Sequence, residues 1–243
     1  MAFSAGEREA LLSGFPDEED DEEAQLPAAL TPEVLPPKPA APENPLLGGE
    51  KIVRGRFPAL EAVHGRFAQL FKQTLSRALG RAVDIEVRGT KVTPFGAYIR
   101  MLPTPSSIYL YKMRPLNGLA AFVPGQRLVF TLVEALLGGA GGLNKSMENR
   151  ELTEIEHRMI DPLIGDVLND LTEAWRGVFK IGVSFSHLEV KPERSTLALP
   201  KDPVVVSLYE AGIGQERYAL TLCEPLSLLA PIRKRLERMA PGM

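Results

Sequence analysis

From Pro58 onward, apolar residues return at three- and four-residue steps: Leu60, Val63, Phe67, Leu70, Phe71, Leu75 and Leu79. That step is the helical period, and Gly80 stands where the helix should end. The pattern then changes. Over 83–92, Val83, Ile85 and Val87 alternate with charged neighbours, and two further runs, 107–113 and 119–123, are bounded by Gly or Pro, so three strands are expected. Leu128, Val129, Leu132, Val133, Leu136 and Leu137 share one broad helical face over 126–137, which stops at Gly138.

A second pass has the same order. Thr153 and Glu156 have the spacing of a capping box, ahead of Ile155, Met159, Leu163, Val167, Leu171, Ala174 and Trp175 on one helical face. Pro162 falls inside that helix and should kink it. Strands are expected over 181–190, 204–210 and 217–222, and a closing helix over 226–239. The chain therefore predicts an α+β fold in which a helix–strand–strand–strand–helix unit occurs twice, over 58–137 and 153–239. Short connections favour antiparallel pairing, and the helices must cover the apolar face of the sheet. The expected product is one domain over 52–243, a pseudo-two-fold αβββα sandwich.

The first fifty residues belong to another regime. Ser4 and Glu7 form a second capping box before Ala10, Leu11 and Leu12, so a helix of about two to three turns within 1–15 is expected, too short to be stable without a partner. Residues 17–23 are seven consecutive acids, and seven prolines lie between Pro27 and Pro45. Self-repulsion and fixed φ make 16–51 a disordered acidic, Pro-rich tether. The charge split follows this division, with −10 on residues 1–50 and +7 on the remainder.

Composition removes several functions. Cys223 is the only cysteine, so an internal disulfide and a thiolate metal cluster are both excluded, and a reducing compartment fits. His64, His157 and His187 lack ligand spacing, and no cofactor is expected. No apolar run reaches the roughly 18 residues of a membrane span. The basic excess is scattered without aromatic interleaving, in a chain only 7% aromatic, which argues against nucleic acid.

Residues 138–146, Gly-Gly-Ala-Gly-Gly-Leu-Asn-Lys-Ser, nearly spell a phosphate-binding loop. Such a loop follows a strand and opens a helix, whereas this one closes a helix and precedes another. Glycine at a helix end supplies positive φ, but four glycines in five residues exceed one cap. The surplus suggests side-chain-free backbone that another protein approaches closely.

Several of these motifs resemble the middle domain of the flagellar motor switch protein FliM family. They are Phe67-Ala-Gln-Leu-Phe71, Pro115-Leu-Asn-Gly118, Leu128-Val-Phe130 leading to Gly138-Gly-Ala-Gly141, Leu152-Thr-Glu-Ile-Glu156 and Ala174-Trp175. The resemblance implies a CheC-like fold and contact with the rotor protein FliG through Gly138, Gly139, Ala140 and Gly141. It also implies FliM neighbours in the cytoplasmic ring, FliN as a further partner, and a place at the inner-membrane face of the flagellar basal body. Residues 3–12 resemble the family's peptide for phosphorylated CheY, keeping Ser4, Glu7, Ala10, Leu11 and Leu12, with Gly6 and Arg8 as departures. The family normally continues into a FliN-like C-terminal domain, and the end of this sequence at Met243 fits either a truncated chain or a naturally short relative serving a type III secretion apparatus.

The related CheC and FliY phosphatases place an acid and an asparagine at i, i+3 on one helix face, where they can orient a water towards an acyl phosphate. Asp166 and Asn169 have that spacing, with Pro192 downstream, which makes CheY-phosphate hydrolysis the alternative activity. The solvated face of an amphipathic helix explains the same two residues. The reading adopted is a non-enzymatic rotor component controlling rotation direction in chemotaxis.

Overall fold

A computed structural model describes residues 57–139 and 150–238. The expected peptide over 1–15, the tether and residues 140–149 lie outside them.

Helix α1 spans Pro58–Leu79 and ends on Gly80, whose φ of 61° is the left-handed cap that the sequence predicts. Strand β1 (Val83–Pro94) runs into a short helix α2 (Phe95–Ile99), then β2 (Ile108–Arg114), β3 (Leu119–Pro124) and α3 (Gln126–Leu136). The second half is α4 (Glu154–Trp175), β4 (Gly182–Glu189), β5 (Pro203–Ile213) and β6 (Glu216–Pro225). It closes with α5 (Leu226–Leu229), a 3-10 turn (Ala230–Ile232) and α6 (Arg233–Arg238). Pro231 lacks an N–H to donate, and the closing segment is three pieces instead of the expected single helix.

The six strands form one antiparallel sheet in the order β1-β5-β6-β3-β2-β4. Exchanging each strand for its counterpart in the other half turns that order into its own reverse, which is the signature of a two-fold axis through the sheet. The axis falls at the β3–β6 pair, where Phe122 lies opposite Leu222, with Ala121 opposite Cys223 and Val123 opposite Thr221. Hairpins β2–β3 and β5–β6 pair as short connections require. The first strand of each half crosses over, β1 onto β5 and β4 onto β2, which interlocks the halves into one core.

Helices α1 and α4 cover one face of this sheet. Leu60, Val63, Phe67, Phe71 and Leu75 from α1 meet Ile160, Leu163, Val167, Leu171 and Trp175 from α4, all buried. Each such side chain contributes roughly 1.5–3 kcal/mol by leaving water. Phe67 stacks on Phe71 at 5.4 Å and meets Tyr209 edge-on at 5.6 Å. The opposite face is covered by α2 and the β4–β5 crossover: Phe95 and Tyr98 pack on Ile108, Leu110, Val204 and Val206, flanked by Leu197 and Ala198. One expectation fails here, because Ile155 is 73% exposed and takes no part in the core face of α4.

Candidate functional site

The glycine-rich segment enters and leaves the described structure through two anchored ends, both held on α3. At the entry, Gly138 has φ 82°, Gly138 N–H donates to Ala135 O at 3.0 Å and Gly139 N–H to Glu134 O at 2.9 Å. This 5→2 and 6→1 pair is a Schellman motif, which satisfies carbonyls that the helix end would leave unpaired. A Cβ on Gly139 would stand 2.6 Å from Glu134 Cγ and 3.0 Å from its carbonyl oxygen. The first two glycines are therefore consumed by ending α3. Ala140 and Gly141 lie outside the described residues.

At the exit, Arg150 is fixed on four sides. Its guanidinium lies 4.6 Å above the Phe130 ring of α3, and its carbonyl accepts Gln126 Nε2 at 2.8 Å. Its two terminal nitrogens donate to the two carboxylate oxygens of Glu156, at 2.8 and 2.5 Å, and Nη1 also donates to Glu151 O at 3.0 Å. Glu156 completes the expected capping box: it accepts the Thr153 N–H at 2.7 Å and the Thr153 hydroxyl at 2.9 Å, and its own N–H donates to Thr153 Oγ1 at 3.3 Å. The Arg150 hydrogen bonds, offset in part by burial and reinforced by Thr153, hold the Glu156 carboxyl down at about 2. Arginine in turn is the residue suited to a planar two-pronged grip.

Large apolar side chains stand exposed beside these ends. Leu137, immediately before Gly138, is 70% exposed, and Ile155 lies in the first turn of α4. Periodicity had placed both on buried faces. Their only sequence signal is position: each sits at a helix terminus, where the neighbouring turn that would cover it is missing.

The Asp166–Asn169 pair stays on the exposed outer face of α4. Counting from the first residue of each helix, its counterparts on α1 are Leu70 and Gln73, so the other half supplies no acid. Pro192 is buried in the β4–β5 crossover, whose Leu197 and Ala198 pack on the sheet face away from α4. Among the described residues no group of His, Cys, Asp and Glu could hold a metal ion, and no helix is long and apolar enough to cross a membrane.

The duplicated, strand-exchanged architecture with a glycine-rich connector is that of a motor-switch middle domain. The family model described as flagellar motor switch protein FliM matches residues 53–240. A FliM from Pseudomonas aeruginosa is 35% identical over 192 residues, covering 79% of this chain and 59% of that protein. A crystal structure of a FliM middle domain from Vibrio alginolyticus superposes with a TM-score of 0.66 at 30% identity, covering 73% of this chain and 99% of that one. A structure of a FliG–FliM complex from H. pylori has the same fold, with a TM-score of 0.68 at 22% identity over 72% of this chain and 96% of that one. The chain belongs to the flagellar motor switch protein FliM family. It spans about three fifths of the length of the Pseudomonas relative.

Proposed function

We propose that this domain holds the rotor protein FliG on the segment between Gly138 and Arg150 and passes a regulator's signal to it. The observation that carries this reading is the double anchorage of that segment. A Schellman cap fixes the chain before Ala140 and the Arg150 grip fixes it again after Asn149, so both ends of the segment that carries Ala140, Gly141 and Gly142 are held. Ordering costs on binding fall when the ends are already fixed. Exposed Leu137 and Ile155 supply apolar area beside it. The FliG–FliM complex of H. pylori, built on the same fold, supports FliG as the partner.

Within this proposal Ala140 and Gly141 make the close approach, while Gly138 and Gly139 shape the base. Ser4, Glu7, Ala10, Leu11 and Leu12 would dock phosphorylated CheY as a helix that folds on binding, and residues 16–51 would act as its tether. FliM neighbours and FliN complete the set of partners at the cytoplasmic face of the basal body. Parallel pull-downs with FliG, FliN and phosphorylated CheY test the assignment. Capture of FliG by residues 52–243, and of CheY only when 1–15 are present, is expected. FliG capture that survives deletion of 140–149 overturns the loop reading.

A further inference from the structure

On the helix-covered side of the sheet, five buried polar atoms have no hydrogen-bond partner among the described residues. They are the hydroxyls of Tyr111 on β2 and Tyr209 on β5, both carboxylate oxygens of Glu224 on β6, and Nε2 of His64 on α1. All four residues are 0% exposed. His64 Nδ1 lies 2.9 Å from Ser207 Oγ, and its Nε2 comes within 3.3 Å of Glu224 Oε2 without the alignment of a hydrogen bond. Buried polar groups are paired almost without exception, and ordered water is the usual partner where the protein supplies none.

Strand register brings these groups together. Tyr111 lies opposite Ala120 on β3, and Glu224 lies opposite Val205 on β5. The β3–β6 pair Ala121–Cys223 puts Ala120 and Glu224 in the same row, one step along. Tyr111, Ala120 and Val205 all belong to the core under α1 and α4, so Glu224 points there as well. The methyl of Ala120 is all that stands in that row between the phenol and the carboxylate. Tyr209 is the two-fold mate of Tyr111, each standing at the register shift of its pairing, β1–β5 or β2–β4. The Tyr209 ring meets His64 edge-on at 6.1 Å. Burial first, and then the Glu224 charge, push both phenols well up, so each keeps its proton as a donor. By the same axis Glu224 corresponds to Pro124, so the acid is an addition to the duplicated fold and not a requirement of it.

We propose that Tyr111, Tyr209 and Glu224 form a binding site for internal water, which joins the two phenols to the carboxylate beneath α1. The donor and acceptor count favours this ligand. Two phenolic O–H groups donate and two carboxylate oxygens accept, and a water molecule has two lone pairs and two O–H groups to meet them. An anion would be repelled by the carboxylate. A metal ion is disfavoured because no group of His, Cys, Asp and Glu among the described residues could hold one. The water ties β2 of one half to β5 and β6 of the other, with His64 of α1 against the carboxylate.

The test is urea unfolding of the full chain at pH 7 with Tyr111→Phe and Tyr209→Phe. Each substitution keeps the ring and removes only the hydroxyl. Where that hydroxyl is bonded to internal water a hydrogen bond is lost, so each folding constant should fall about threefold to tenfold. Where it has no partner the same substitution relieves a buried polar group, so a folding constant unchanged or raised in either variant overturns the site. A high-resolution crystal structure of the unsubstituted chain is a second readout that needs no variant. Ordered water within about 3.2 Å of both phenol oxygens and of the Glu224 carboxylate is expected. A core without that water contradicts the proposal, whether or not the phenols bond the carboxylate directly.

Discussion

Arg150 and Glu156 face each other fork to fork across the first turn of α4, with nitrogen–oxygen distances of 2.5 and 2.8 Å. The pair joins the exit of the glycine-rich segment to a helix cap, so chemistry at one position sets the geometry of the other.

Glu156→Gln keeps the shape but loses the charge-assisted bonds, and should lower stability at pH 7 by about 1–2 kcal/mol. The folded carboxyl titrates at about 2, below its ordinary 4.5. The contribution is therefore present above about pH 4.5 and is lost as pH falls through the folded value of about 2. Urea titrations at pH 7 and pH 3 should show the difference between parent and variant shrinking in acid.

Gly138→Ala forces a side chain into φ 82°, and Gly139→Ala forces a methyl against Glu134. Each should cost about 1–2 kcal/mol. Thermal melts should show both variants below the parent. Neither position therefore serves as a clean probe of partner contact, because loss of binding and loss of the cap would coincide.

Gly165 lies in the exposed middle of α4, and a Cβ there would meet nothing within 4 Å. Gly165→Ala should stabilise by about 0.5–1 kcal/mol through the entropy of the unfolded chain. A higher urea midpoint at an unchanged slope is the expected observation.

Asn169→Ala should leave CheY-phosphate decay as it is, because Asp166 and Asn169 are exposed and lack an acidic counterpart on α1. A phosphate-release assay with and without the parent chain should give equal rates.

The long elements were legible because their signals are local. Periodicity and Pro58 and Gly80 delimited α1, and Thr153 with Glu156 started α4. The helical path of α4 continues through Pro162. Helix α2 was missed, since five residues are too few to show a period. The duplication was visible, but not the exchange of β1 and β4, which is decided by pairing between distant segments. The same limit hid His64: spacing along the chain showed no ligand pattern, and the fold brings it to Glu224 across more than half the sequence. In the glycine run, composition showed that a cap alone was too little. Which glycines serve the cap became clear only from the hydrogen bonds of Gly138 and Gly139.

The most direct measurement is co-purification of FliG with Gly141→Val, set beside a thermal melt of the same variant. Gly141 lies beyond the two glycines that cap α3, so added bulk there should act on the partner. Loss of FliG with a melt within about 2 °C of the parent, a shift of no more than ~1 kcal/mol, is the expected result. FliG retained at the parent's level would contradict the assignment of the glycine-rich segment as its contact.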